Sequence, residues 1–248
     1  MTSGNVEAGL PTFQRPARPM AIKCWICGEP ATTGEHIPKA SALRDLFGVV
    51  TQDRPLYYSA DRVRNKRLQS IDSSRLKLKT LCAECNSNKT QPMDRAWDRL
   101  MNYLEVNTNQ LSTNSRIRRY RLFPYHSREQ MLQLHLYFVK LFGCVISAMS
   151  APLNIGSFAE AINRRHAHPN VYVGLGKRSW LPELKFAGPS DLHCDLDGAN
   201  CVFSVWSLDV GAWQFQIMYA ADGQAREGLV NAWNPLRSYA IVLKDFPQ

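Results

Sequence analysis

Two short cysteine pairs constrain the fold of this chain more than any other feature. Cys24 and Cys27 form a Cys-x-x-Cys pair, and Cys82 and Cys85 form a second pair at the same spacing. Each pair can present two thiolates to one ion, and four such soft ligands suit tetrahedral zinc. An ion with four thiolate ligands has no open coordination position, so the predicted zinc is structural. The alternative interpretation is a set of buried or redox-active cysteines.

Length and cysteine number bound the class of protein. The 248 residues can bury a substantial core, as one large domain or two smaller ones. The seven cysteines are an odd number and no signal-like segment opens the chain, which predicts a reducing, cytoplasmic compartment. The most apolar stretch, residues 131–149, is interrupted by Gln133, His135 and Lys140. A membrane span requires about 20 predominantly apolar residues, so we expect a buried helix there and no membrane partner.

The charge balance favours a polyanionic partner. The formal net charge is +9, and residues 61–89 contain eight Lys or Arg against three Asp or Glu. Such a segment can bind a phosphate backbone without reading sequence, although a solvated loop would have the same composition. Residues 116–121 form a second basic candidate. The residues of the first segment that we predict to contact nucleic acid are Arg62, Arg64, Lys66, Arg67 and Lys77.

The pattern along the chain predicts a tail and two modules. Residues 1–20 lack apolar periodicity and are expected to form a tail. After Pro92, apolar residues recur at helical spacing, which predicts a helix that closes a first module of residues 21–110. Residues 111–248 then form a second, α+β module whose role the sequence does not reveal.

The second module is predicted to combine helices with a sheet. A polar, basic connector leads to a long apolar helix at about residues 128–149, where Ser127 and Gln130 have the spacing of a capping box. A short helix is expected at about residues 158–164. The strand-like segments are residues 170–175, 200–208, 213–220 and 238–246, and a hairpin turn, Asp-Val-Gly-Ala, joins the middle two.

A second set of residues surrounds the cysteine pairs. Glu35 and His36 form an acidic-His dipeptide that continues as Ile-Pro-Lys, Asn86 directly follows the second pair, and Lys89 stands three positions later. Together with the cysteines, these residues resemble the HNH nuclease family, whose ββα-metal fold often carries zinc held by two Cys-x-x-Cys pairs. The resemblance covers about Cys24 to Lys89. It implies an α+β fold in which a zinc-stabilised ββα-metal (HNH) module precedes a C-terminal module of helices and an antiparallel sheet.

The resemblance also implies a set of catalytic roles. His36 would be the general base, Glu35 and Asn86 would hold a catalytic Mg²⁺ or Mn²⁺, and Lys89 would position the phosphate. These roles agree with the chemistry, because phosphodiester hydrolysis needs a base that works near neutral pH and a positive centre for the developing charge. Carboxylate and amide oxygens are hard ligands that suit these ions. By resemblance, the products would carry 5′-phosphate and 3′-hydroxyl ends.

The sequence departs from the family pattern at two positions. The family more often has Asp where Glu35 stands. The middle Asn of the motif is expected where this chain has Lys77, and Asn65 is the nearest upstream candidate. In the family that Asn mainly fixes a loop, so its absence concerns the geometry of the site more than the proton chemistry.

These observations predict a metal-dependent HNH endonuclease that acts on nucleic acid, with DNA favoured over RNA. One such centre cuts one strand, so double-strand cleavage would need two events or a homodimer. By analogy with the family, a separate second module suggests regulation or targeting, as in defence or mobile-element nucleases. The alternative is a non-catalytic, zinc-stabilised nucleic-acid-binding protein, and an RNA-directed nuclease or toxin is a third interpretation.

Overall fold

The structure is a computed structural model that describes residues 22–60, 63–178, 185–224, 229 and 231–246. The predicted tail, residue Arg62 and the side chain of Arg64 lie outside this description. Helices and strands both contribute substantially, which confirms the α+β class. In chain order they are β1 (Thr33–His36), α1 (Ala40–Phe47), β2 (Leu56–Ala60), β3 (Val63–Leu68), β4 (Lys77–Leu81), α2 (Gln91–Val106), β5 (Arg116–Arg118), α3 (Arg119–Leu122), α4 (Ser127–Met149), α5 (Ile155–Arg164), β6 (Val171–Lys177), β7 (Ala187–Pro189), β8 (His193–Asp197), β9 (Asn200–Val210), β10 (Trp213–Ala220) and β11 (Ala240–Asp245).

A two-stranded hairpin and a helix follow the first cysteine pair. β1 pairs antiparallel with β4, and His36 lies opposite Lys77. The long connection between the two strands contains α1 and a separate β2–β3 hairpin. After β4 a π-helical segment, Glu84–Lys89, leads into α2. Pro92 stands in the first turn of α2, as predicted.

The C-terminal sheet has seven strands. Its order is β5-β11-β6-β10-β9-β7, with β8 paired to the other part of β9. The four strands predicted from the sequence correspond to β6, β9, β10 and β11. The pairing is antiparallel except between β6 and β11, which run parallel. The basic connector also joins this sheet, because β5 pairs with β11.

α4 is the central helix. It is long and apolar enough to cross a membrane by length and composition, and 83% of its most apolar window is buried inside the protein. The predicted capping box is wrong: the N-cap residue is His126, which has a left-handed backbone (φ +48°) and makes no side-chain cap bond. Ser127 is already the first helical residue, so its hydroxyl cannot take the N-cap position.

An aromatic cluster connects the two predicted modules. Trp97 of α2 stacks on Tyr137 of α4 with ring centroids 4.7 Å apart, and it contacts Phe215 of β10 at 4.8 Å. The same apolar core extends without interruption from Cys24 to Leu243. The segments on either side of residue 110 therefore bury their apolar faces against each other.

Candidate active site and metal centre

The four predicted zinc ligands lie in one cluster. Cys24 and Cys27 precede β1, and Cys82 and Cys85 follow β4, so closure of the β1–β4 hairpin brings the two pairs together. The four Sγ atoms all lie within 4.8 Å of one another, and Cys27 Sγ is 3.6 Å from Cys82 Sγ. In a tetrahedral site with Zn–S bonds of about 2.3 Å, the sulfur atoms lie about 3.8 Å apart. The cluster can therefore hold a structural metal ion such as zinc.

The local backbone favours the metal-binding form of Cys24. Burial by itself raises the pKa of this thiol, but backbone hydrogen bonds from Cys82, Cys27 and Ile26 outweigh it and lower the pKa to about 7. The backbone N–H of Cys85 also donates to Cys82 Sγ at 3.4 Å. Because the thiolate is the form that binds metals, these hydrogen bonds favour metal binding at Cys24, whereas burial raises the pKa of the Cys27 and Cys85 thiols.

Two helices of the C-terminal half hold the cysteine cluster. Trp25, between the first two cysteines, packs its indole against Gly143 of α4 and donates from Nε1 to Cys144 Sγ at 3.5 Å. Asn163 of α5 donates from Nδ2 to the carbonyl of Ile26 at 3.0 Å. The geometry of the cluster thus depends on contacts from residues more than a hundred positions away in the chain.

Glu35 points into the core rather than toward the side of the hairpin that carries His36. Its carboxylate is buried, and Oε1 lies 2.9 Å from Nζ of Lys140, a fully buried residue of α4. The same ammonium group donates to Asp94 Oδ1 of α2 at 2.7 Å. Successive residues of a strand face opposite sides, which separates Glu35 from His36. Glu35 is therefore already paired with a cation of the protein itself.

His36 is the best candidate for a general base. Its side chain is 16% exposed, and its buried Nε2 makes no hydrogen bond within the described structure. Desolvation lowers the pKa of the imidazole, with further lowering by Lys77 and Arg44, against the opposing effect of Asp72. A neutral imidazole with an unpaired nitrogen has the chemistry of a general base near pH 7, and it acts as one once water reaches the buried Nε2.

Asp72 is the carboxylate that faces His36. Its Oδ1 lies 3.6 Å from His36 Nε2, 3.8 Å from Arg44 Nη2 and 3.9 Å from Lys77 Nζ. These separations exceed hydrogen-bond distance, so Asp72 interacts with the three side chains through charge rather than through directed hydrogen bonds. The surface around His36 therefore combines one carboxylate with two cations.

The π-helical segment places Asn86 and Lys89 in different surroundings. Asn86 Oδ1 is buried and accepts no hydrogen bond within the described residues. Lys89 donates from Nζ to Asn163 Oδ1 at 2.7 Å, on the side of the cysteine cluster. A π-helix has more residues per turn than an α-helix, so residues three apart do not share a face as an α-helix would predict. Lys89 thus binds α5 in this structure, and its phosphate role remains a prediction.

The predicted nucleic-acid contacts divide between two places. Lys77 belongs to β4 and lies beside His36, whereas Lys66 and Arg67 belong to β3 and are exposed. Arg67 donates to the carbonyl of Gln52 at 2.8 Å. Among the described members of this set, Lys77 is the residue whose charge lowers the pKa of His36.

Sequence reasoning did not find the partners of these residues. Lys140 had a visible signal, since a charged residue in the middle of the most apolar stretch must be paired if it is buried. Asp72, Asp94 and Asn163 had none, because a lone Asp or Asn in a polar segment is ordinary. Their roles depend on which distant element the fold brings to them.

Comparison of the chain with protein-family models, with curated proteins and with solved structures finds no match. The geometry described above is therefore the basis for interpreting the site. It brings together the four cysteines, and it places His36 beside Lys77. It gives Glu35, Asn86 and Lys89 three separate environments.

Proposed function

We propose that this protein is an HNH-type endonuclease that hydrolyses phosphodiester bonds in nucleic acid, with DNA as the favoured substrate. The observation that carries the proposal is the state of His36. Its imidazole is neutral near pH 7, its Nε2 has no hydrogen-bond partner among the described residues, and it stands on a hairpin that leads directly into the cysteine cluster and a helix. This arrangement supports the order of elements that the sequence resemblance implies.

In this proposal His36 removes a proton from the attacking water. Lys77 and Arg44 lie near enough to influence the titration of His36, and they supply positive charge where the scissile phosphate would bind. Fixed cations beside a phosphate stabilise the charge that develops in the transition state. Asp72 lies within 4 Å of both cations, so it would help to hold their side chains in place.

Of the two predicted magnesium ligands, Asn86 suits the binding of an ion and Glu35 does not. Asn86 offers a buried amide oxygen that has no partner in the described part of the chain, as a metal ligand would before the ion binds. Glu35 does not fit, because its carboxylate is buried against Lys140. A divalent ion would supply charge stabilisation at the leaving oxygen when bound. The requirement for Mg²⁺ or Mn²⁺ thus stands on the resemblance and on Asn86.

A nuclease assay tests the proposal. Zinc-loaded full-length protein is incubated with plasmid DNA and with RNA, in Mg²⁺ or Mn²⁺, beside His36→Ala and the matched control His193→Ala, which removes an exposed histidine of β8. We expect cleavage by the wild type and by the control, and a loss of about 10²- to 10⁴-fold for His36→Ala.

Two results would overturn it. One is the absence of cleavage of either nucleic acid with either ion, and the other is undiminished cleavage by His36→Ala. Salt-dependent binding without cleavage would support the alternative of a zinc-stabilised nucleic-acid-binding protein. Preference for RNA in the same assay would keep the chemistry and change the substrate.

A further inference from the structure

A large cleft opens beside the β1–β4 hairpin. Its volume is about 820 Å³. One wall comes from α1 and the β2–β3 hairpin, and the other comes from residues 185–191 and the end of α4. Ile37, which directly follows His36, and Lys77, which lies opposite His36, both line it. Anything bound in the cleft would therefore pass close to the candidate base.

The walls of the cleft are largely apolar, and Tyr57 and Tyr58 of β2 both line them. Exposure alternates along β2, with Leu56 and Tyr58 half-buried and Tyr57 exposed. This alternation places the rings of Tyr57 and Tyr58 on opposite faces of the strand. Tyr58 shares its face of the strand with Leu56, whose cross-strand partner Leu68 also lines the cleft, so Tyr58 is the half-buried ring of the two.

The charges at the rim are mostly positive. Among the described lining residues, Arg75, Lys77 and Lys185 are cationic and Asp191 is the one carboxylate. Arg75 and Lys185 are exposed, so their charges face the solvent at the mouth of the cleft. Apolar walls with a cationic rim complement a chain of bases joined by phosphates, because bases stack on aromatic rings and phosphates bind Lys and Arg.

From these features we propose that the cleft binds an unpaired, single-stranded segment of the nucleic-acid substrate. One base stacks on Tyr58, and the flanking phosphates contact Arg75 and Lys185. A duplex cannot make the same contacts, since its base faces are already covered by neighbouring base pairs. This inference rests on the proposed function and adds the substrate class, single-stranded or locally unpaired nucleic acid.

Binding measured without cleavage tests the inference. Fluorescence anisotropy compares labelled single strands of DNA and RNA with a duplex of the same sequence, using the non-cutting His36→Ala protein in magnesium-free buffer. We expect the single strand to bind at least about 10-fold more tightly than the duplex. Tyr58→Ala, made in the same protein, should weaken single-strand binding by about 5- to 100-fold and leave duplex binding unchanged.

Matched variants separate stacking from folding. Tyr58→Phe keeps the ring and should retain the single-strand affinity, and Tyr125→Ala removes an exposed tyrosine between α3 and α4 and should have no effect. Arg75→Gln removes one phosphate contact, so the slope of log K against log salt concentration for single-strand binding should fall in magnitude by about one. This variant decides the matter if Tyr58→Ala fails to fold.

The inference is overturned if the duplex binds as tightly as the single strand, or if Tyr58→Ala and Arg75→Gln leave single-strand binding unchanged. The two proposals fail separately. If the protein cuts nucleic acid but binds single strands and duplex equally well, only the proposal of single-strand binding in the cleft is refuted. A protein that binds single strands through Tyr58 but never cuts refutes the nuclease and leaves a binding site.

Discussion

The buried ammonium group of Lys140 joins two carboxylates that come from different elements. Glu35 belongs to β1 and Asp94 to α2, and the ammonium lies 2.9 Å and 2.7 Å from them. Burial by itself would lower the pKa of Lys140, but the two carboxylates hold it above its usual range. A buried pair adds little compared with an apolar core, but loss of one partner leaves the other buried charge uncompensated.

We predict that Lys140→Met destabilises the protein by about 3 to 5 kcal/mol, because the buried carboxylate of Glu35 and the half-buried carboxylate of Asp94 lose their counter-ion. Urea unfolding at pH 7.5 measures the change, with exposed Lys66→Met as the control. Adding Glu35→Gln to Lys140→Met removes one of the orphaned charges and should restore part of the loss. Equal stability of Lys140→Met and the wild type would contradict this account.

At the scale of elements, Gly143 allows α4 to pack closely against Trp25, which lies between the first two cysteines of the cluster. A Cβ atom added at Gly143 would lie 2.5 Å from Cζ2 of Trp25, far inside van der Waals contact. Glycine in a helix interior costs about 1 kcal/mol relative to alanine. The close approach of the indole explains why α4 has glycine at this position despite that cost.

We predict that Gly143→Ala destabilises the wild type by about 1 to 3 kcal/mol, since the rigid indole has to move. The same substitution in a Trp25→Leu protein should instead stabilise it by up to about 1 kcal/mol, because the clash is gone and alanine favours the helix. Urea unfolding of the four proteins gives a double-mutant cycle. An identical effect of Gly143→Ala in both backgrounds would show that Trp25 and Gly143 do not interact.

At the scale of the whole molecule, two buried histidines link stability to pH. Burial lowers the pKa of His135 to about 3, and the charge of His168 adds to this effect. Burial likewise lowers the pKa of His168 to about 4, with a smaller contribution from His166. His168 Nδ1 accepts a hydrogen bond from the Asn170 N–H at 3.2 Å, which requires that nitrogen to be unprotonated. Both rings are therefore neutral in the folded protein.

We predict a loss of stability as the pH falls from about 6.5 toward 4. The unfolded chain binds protons at both histidines in this range and the folded protein does not, so each contributes a loss of about 1.4 kcal/mol per pH unit. His135→Leu removes one contribution, so its unfolding free energy should fall less steeply than that of the wild type. Urea unfolding at pH 7.0, 5.5 and 4.5 measures both slopes, and parallel slopes would refute the role of His135.

The sequence by itself determined the features that depend on spacing and side-chain chemistry. Two thiol pairs at equal spacing predict a shared metal ion, and apolar periodicity predicted α2, α4 and the four strands. These signals are readable because each is local: a helix or strand repeats its pattern within a few residues. The cysteine cluster is the exception that reaches across the chain, and tetrahedral coordination makes that long-range contact predictable.

The tertiary structure decided which group each polar residue meets. Glu35 binds Lys140, Lys89 binds Asn163, and the cleft beside His36 combines walls from both halves of the chain. No local pattern specifies such partners, because they depend on how α4, α5 and the C-terminal sheet pack against the hairpin. Surroundings in space also fix the charge of each buried group, because two carboxylates keep Lys140 protonated and desolvation keeps His135 and His168 neutral.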